Sequence, residues 1–194
     1  MWTLKIDIIE GPNRPLIAAA VLLLVIMAGI AGAEDKNEAL LSAAVRGDLE
    51  EVQDLLREGA DPNAKDQSDR TVLMQASFRG RLEVVGLLVE KGADVNATNK
   101  NGDTALLAAS GRGGLEVVRL LLEKGANVNA KNKNGWTALM LPSWTGHFDV
   151  VKLLLQKGAD PNAKNERGQT AMKLAAEQSH SQVVELLKAH GTKE

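Results

Sequence analysis

Glycine recurs at Gly59, Gly92, Gly125, Gly158 and Gly191, each 33 residues after the last without a slip. A fixed period of this length describes an array of one supersecondary unit, not a single irregular core. Other columns keep the same register. They are Thr71, Thr104, Thr137 and Thr170; Asn63, Asn96, Asn129 and Asn162; and Gly47, Gly80, Gly113 and Gly146, with Ser179 fifth. Within a unit, two short apolar stretches separated by a glycine precede a turn rich in Gly, Ala, Asp and Asn. That order predicts helix, tight turn, helix and then an extended loop.

Each column carries a physical expectation. The threonines stand one residue before an apolar run, where a hydroxyl accepts the orphan amides of a helix start, so all four are expected to be N-caps. The second helix is expected after Gly80-Arg81-Leu82-Glu83, with apolar Leu82, Val85, Leu88 and Val89, and to stop at Gly92 in a left-handed cap. Leu49, Leu82 and Leu115 read as core, and Phe148 takes their place in the fourth unit. Asp61-Pro62-Asn63, Asp94-Val95-Asn96, Asn127-Val128-Asn129 and Asp160-Pro161-Asn162 are expected to satisfy their turns locally. Pro142 lies five residues after Thr137, where it removes a helix hydrogen bond at a cost of about 3 kcal/mol. The first helix of that unit is therefore expected to be kinked or shortened, with Trp144 more exposed than its column implies.

Thr104-Ala105-Leu106-Leu107, Gly113-Gly114-Leu115-Glu116-Val117-Val118 and Lys124-Gly125-Ala126-Asn127-Val128-Asn129-Ala130 resemble successive parts of an ankyrin repeat. The resemblance runs from about Glu38 to Gly191 and implies an all-α solenoid of about five 33-residue helix-turn-helix units joined by β-hairpin-like loops. The threonine starts depart from the family's Thr-Pro-Leu-His, and the missing histidine removes an inter-repeat hydrogen-bond network. Residues 34–70 would form an N-terminal capping repeat, 71–169 three internal repeats and 170–194 a C-terminal cap. Stacked units need polar outer faces at both ends. Glu38 in place of threonine, with Glu50, Glu51 and Asp54, supplies one; Lys173, Glu177, Gln182, Glu185 and Lys188 supply the other.

Ahead of the repeats, Leu16 to Ile30 carries no charge, and Ala31-Gly32-Ala33 has the small-residue spacing of a secretory cleavage site. Residues 1–33 therefore read as a signal peptide. The apolar stretch through Ala33 reaches 18 residues, marginal for a membrane span, so an uncleaved N-terminal anchor is the alternative. Either way the repeats are expected outside the cytoplasm, periplasmic or secreted, with a bacterial envelope preferred. The absence of cysteine is compatible with export. In a eukaryotic secreted chain Asn96-Ala97-Thr98 would be a glycosylation sequon.

Chemistry is not expected. His147, His180 and His190 are the only histidines and lack metal-ligand spacing, which points to capping or surface roles. Glu83, Glu116 and Asp149 recur in register at helix starts, as the helix dipole favours. The chain has no nucleophile elbow, no phosphate-cradling loop and no cysteine nucleophile. A formal net charge of -2, with residues 1–33 neutral, gives no reason to expect nucleic-acid binding. No cofactor, metal or small-molecule substrate is implied.

The information lies in the columns that vary. By the resemblance, the concave partner-binding face comprises Gln67, Ser68, Arg70, Phe78, Arg79, Lys100, Asn101, Asp103, Gly111, Arg112, Lys133, Asn134, Trp136, Trp144, Thr145, Glu166, Arg167 and Gln169. Arg70, Phe78, Arg79, Asp103, Arg112, Lys133, Trp136, Trp144 and Gln169 are the candidate contacts. After the leader there are four aromatic residues, and Phe78, Trp136 and Trp144 fall in these columns. Aromatic and arginine side chains are favoured as binding anchors. Arg46, Arg79 and Arg112 stand 33 residues apart and are expected to form a ladder that suits an acidic partner segment. The alternatives are that Trp136 covers its neighbour's hairpin and that the arginines serve helix C-termini. The expected function is a monomeric, exported, non-catalytic scaffold that binds another protein. An immunity or inhibitor protein blocking an envelope-directed toxin, and a membrane-tethered spacer, are the competing readings.

Overall fold

The computed structural model describes residues 35–191, together with Leu23 and Gly32. The leader expected over residues 1–33 lies outside the described residues apart from those two. Helix α1 covers residues 35–46, followed by α2 (Leu49–Arg57), α3 (Val72–Phe78), α4 (Leu82–Glu90), α5 (Ala105–Gly111) and α6 (Leu115–Glu123). Then come α7 (Met140–Thr145), α8 (Phe148–Gln156), α9 (Ala171–Glu177) and α10 (Ser181–Ala189). They form successive helix pairs, numbered here as units one to five. First helices α3, α5, α7 and α9 stack on one another, and second helices α2, α4, α6, α8 and α10 form the other layer.

The helices α2 to α10 are each too short to be stable alone, and stability comes from stacking the apolar stripes. Leu73 and Leu106 from the first helices and Leu139 just ahead of α7, with Leu88, Leu121, Leu154 and Leu187 from the second helices, are fully buried between layers. Each such side chain contributes roughly 1.5–3 kcal/mol. Leu49, Leu82, Leu115 and Phe148 do not belong to this core: Leu49 is 40% exposed and the others are half-buried. They open their helices at the edge of the layer, so Val52, Val85, Val118 and Val151 take the buried positions one turn later. The polar residues expected at both ends are mostly exposed, but Glu38 sits inside α1. A helix already running from residue 35 offers no start for a cap to serve.

Three of the four threonines are N-caps. Their Oγ1 atoms accept the amides of Met74 at 3.1 Å, Leu107 at 3.2 Å and Lys173 at 3.3 Å. Thr137 is the exception. There the Met140 amide donates to the Thr137 carbonyl at 3.2 Å, making a tight turn, and α7 starts two residues late. The cause is Pro142: with the later start it becomes the third helical residue, in the first turn, where a missing N–H costs no intrahelical bond. The helix is shortened as expected. Trp144 is 43% exposed against 45% for Phe78 in the same column, so the expected extra exposure does not occur. The C-terminal end of α7 moves by one residue only, to Thr145, because Gly146 still closes it in the left-handed conformation used by Gly80 and Gly113.

The loops are hairpin-like, and their side chains divide the work differently from the local turns expected. Asp61, Asp94, Asn127 and Asp160 do act locally, accepting the amides of Asn63, Asn96, Asn129 and Asn162 at 2.8–3.0 Å. The asparagines two residues on bridge units instead. Asn96 accepts the Asn127 amide at 2.8 Å and donates to the Gly125 carbonyl at 3.1 Å. Asn63 and Asn129 repeat this pattern one unit before and one after. A short amide side chain reaches both a donor and an acceptor of the next loop, which a purely local turn would not require.

Candidate functional site

A second Asx column shapes the loop tips. Asp66 accepts the amides of Ser68 and Arg70, and Asn99, Asn132 and Asn165 hold the equivalent pairs in their own loops. Adjacent tips are tied by backbone bonds, Lys133 N–H to the Asn101 carbonyl at 2.9 Å and Glu166 N–H to the Asn134 carbonyl at 3.0 Å. The loops are thus held as a row beside the first helices. Between the row and α3, α5 and α7 lies a groove of about 570 Å³.

Of the candidate contacts, Arg70, Phe78, Arg79, Asp103 and Trp136 line this groove, together with Met74, Gln75, Leu107, Ala108, Asn132, Asn134 and Leu141. Arg112 stands at its rim: its guanidinium carbon is 5.2 Å from the centroid of the Phe78 ring, and that of Arg79 is 6.0 Å away. Two cations from adjacent units therefore meet one exposed ring. Among the described residues neither arginine forms an ion pair. Arg46, the first rung of the expected ladder, is diverted by Glu51 and the Ser42 hydroxyl, so the ladder has two open rungs and not three.

The remaining candidates sit differently. Trp136 is half-buried and packs against the core, its amide held by Asn132 at 2.9 Å, so it is both a groove wall and a structural cover. Lys133, Trp144 and Gln169 lie outside the groove lining. Lys133 is exposed at a loop tip. Trp144 presents its ring at the end of α7 while the His180 ring nitrogen Nε2 lies 3.1 Å from its carbonyl, the capping role expected of a histidine. Gln169 is tied to Asn165 and Glu177 within the last unit.

Polar geometry within the groove is asymmetric. Asp103 accepts the side-chain amides of Asn132 at 2.7 Å and Asn99 at 3.1 Å. Arg70 pairs with Asp66 at 2.7 Å, and Gln75 donates to the same carboxylate at 3.1 Å. Burial works to raise the Asp66 carboxyl, but the Ser68 amide, the Arg70 side chain and amide, and the Arg70 charge outweigh it and hold the group below its ordinary value. Among the described residues no group of three or more His, Cys, Asp or Glu could hold a metal ion. No helix among them is long and apolar enough to cross a membrane.

The sequence reading missed Met74, Gln75, Leu107, Ala108 and Leu141 as lining residues. A signal for them was present. The α5 column pairs Ala108 with Gly111, whereas α3 has Gln75 with Phe78 and α7 has Leu141 with Trp144. A Cβ on Gly111 would lie 2.2 Å from Leu141 Cδ2, so the glycine makes room for the next unit's leucine.

A family model described as ankyrin repeats (3 copies) matches residues 16–99 and 93–165. Together the two spans run from residue 16 to 165, well over half of the 194 residues, and begin within the apolar run ahead of the repeats. Comparison with curated proteins gave no match.

Proposed function

The chain belongs to the ankyrin-repeat family, whose repeats are protein–protein interaction modules, and on that footing we propose that it is an exported, non-catalytic scaffold that holds a partner protein in the groove between its first helices and its loops. The observation that carries this reading is the exposed Phe78 ring, with Arg79 and Arg112 over it and Trp136 across the groove. A large exposed ring and guanidinium groups free of ion pairs among the described residues supply contact area and directional donors at low ordering cost. The partner carries an acidic segment, and the scaffold acts as a monomer.

Export rests on the uncharged run from Leu16 to Ile30 and on Ala31-Gly32-Ala33. Sequencing the N-terminus of the mature chain, with protease accessibility of the repeats in intact cells, tests it: a start at Glu34 supports cleavage and export, an intact Met1 with accessible repeats supports the anchor, and an intact Met1 with protected repeats opposes export. Binding is tested by cross-linking and co-purifying a partner with the C-terminally tagged full chain, beside a variant carrying Phe78→Ala, Arg79→Ala and Arg112→Ala. Recovery from the parent alone, with unchanged circular dichroism, supports the groove. Equal recovery from both overturns it.

A further inference from the structure

The groove is not uniform along its length. Unit three is recessed at Ala108, which stands where α3 carries Gln75 and α7 carries Leu141, while Gly111, one helical turn further along α5, takes the Leu141 side chain against it. Phe78 on one side and Leu141 on the other remain as walls, with Leu107 and Trp136 completing an apolar lining. Two units that project and one that withdraws make a recess for side chains, where regular stacking would give a flat face.

Its two edges differ in charge. At the helix edge, the guanidinium groups of Arg79 and Arg112 lie over the Phe78 ring without a carboxylate partner among the described residues. A guanidinium near an aromatic ring with no carboxylate partner still has its N–H fork for a planar acid. At the loop edge stands Asp103, each of whose oxygens accepts one asparagine amide. A carboxylate has about four lone-pair sites, so it can still accept a donor while repelling an incoming acid.

Resting on the groove as the binding face, we propose that this recess seats a short acidic peptide segment of the partner: one side chain of leucine or phenylalanine size over Ala108, between Phe78 and Leu141, with an adjacent Asp or Glu on Arg79 and Arg112. The charge asymmetry fixes the direction, with acid toward α3 and α5 and a backbone N–H toward Asp103.

The test is selection of short random peptides displayed on phage against the immobilised full chain, repeated with Ala108→Gln, Ala108→Met and Arg112→Glu. Gln is the residue unit two already carries at this position, so that variant fills the recess with a side chain the stack accommodates; circular dichroism and thermal melting check both fillings. Enrichment of peptides pairing Asp or Glu with a large apolar residue is expected. Their binding should fall about tenfold or more in either filling variant, the scale of one lost anchor contact. Arg112→Glu should shift selection away from acidic peptides. No enrichment, a selected pool without the acid–apolar pair, or affinity unchanged in folded Ala108→Gln would overturn the proposal. The broader groove reading fails separately: it falls if a captured partner is indifferent to the Phe78, Arg79 and Arg112 substitutions, and it survives if the partner needs those residues but ignores a filled recess.

Discussion

Units three and four carry the same threonine, the same pair of glycines and the same bridging asparagine, yet α5 begins one residue after Thr104 and α7 three residues after Thr137. In unit three the threonine hydroxyl accepts the Leu107 amide; in unit four Thr137 is 2% exposed and its hydroxyl has no hydrogen-bond partner among the described residues. The second helices of the two units nevertheless match, with Leu121 and Leu154 both fully buried. A local rule was broken and the repeat survived. Layer stacking holds the fourth unit in place, and its first helix adjusts its start to put Pro142 where a missing amide matters least.

If the difference is confined to the helix start, Leu121→Ala and Leu154→Ala should each cost about 2–5 kcal/mol, and by similar amounts. Urea unfolding of the two variants measures this. A much cheaper Leu154→Ala would mean that unit four is loosened throughout.

The next largest contrast lies in the caps. Thr104→Ala should lose about 1 kcal/mol, the usual worth of an N-cap. Thr137→Val, which removes an unpaired buried hydroxyl while keeping its shape, should be neutral or stabilising. Equal losses in chemical denaturation would break the comparison.

Pro142→Ala sharpens it further. With an amide restored, α7 should lengthen toward Ala138 and Thr137 should become a cap, for a net gain of a few tenths to about 1 kcal/mol after the added freedom of the unfolded chain is counted. The diagnostic is a double-mutant cycle. Thr137→Ala should become costly only in the Pro142→Ala background, and additivity of the two changes would refute the coupling.

The smallest expected effect concerns pH. Because Asp66 is held below its ordinary value in the fold, its contribution is fully present above the ordinary aspartate range near about 4 and is lost as pH falls through the lowered folded value. Comparing the stability of the parent and Asp66→Asn across that acidic window should show the difference shrinking as pH falls. A difference that instead grows toward low pH would reverse the assignment.

Much of this was legible in residue columns. Thr71, Thr104 and Thr170 announced their helices, Gly92 its left-handed stop, and Pro142 the short helix of unit four. The asparagine bridges were not legible, because a local Asx turn and a reach into the next loop need the same residue type. Nor was the burial of the Leu49 column, since one apolar position at a helix start reads alike whether it faces the core or the rim. In the candidate site, Arg70, Phe78, Arg79, Asp103 and Trp136 were named from their columns and line the groove. The diversion of Arg46 to Glu51 and the seating of Leu141 against Gly111 depend on distances between chain segments that no column shows.

The sequence alone determined the period, the order of helix, turn, helix and loop, and hence the stacked architecture. These follow from local chemistry: which residue caps, which breaks and which faces inward, at a spacing of 33 residues. The tertiary structure decided where neighbouring units fill or leave space and which charges are already partnered. Those properties belong to pairs of units brought together by stacking, so the recess over Ala108 and the two arginines beside Phe78 emerge only once the units are in contact.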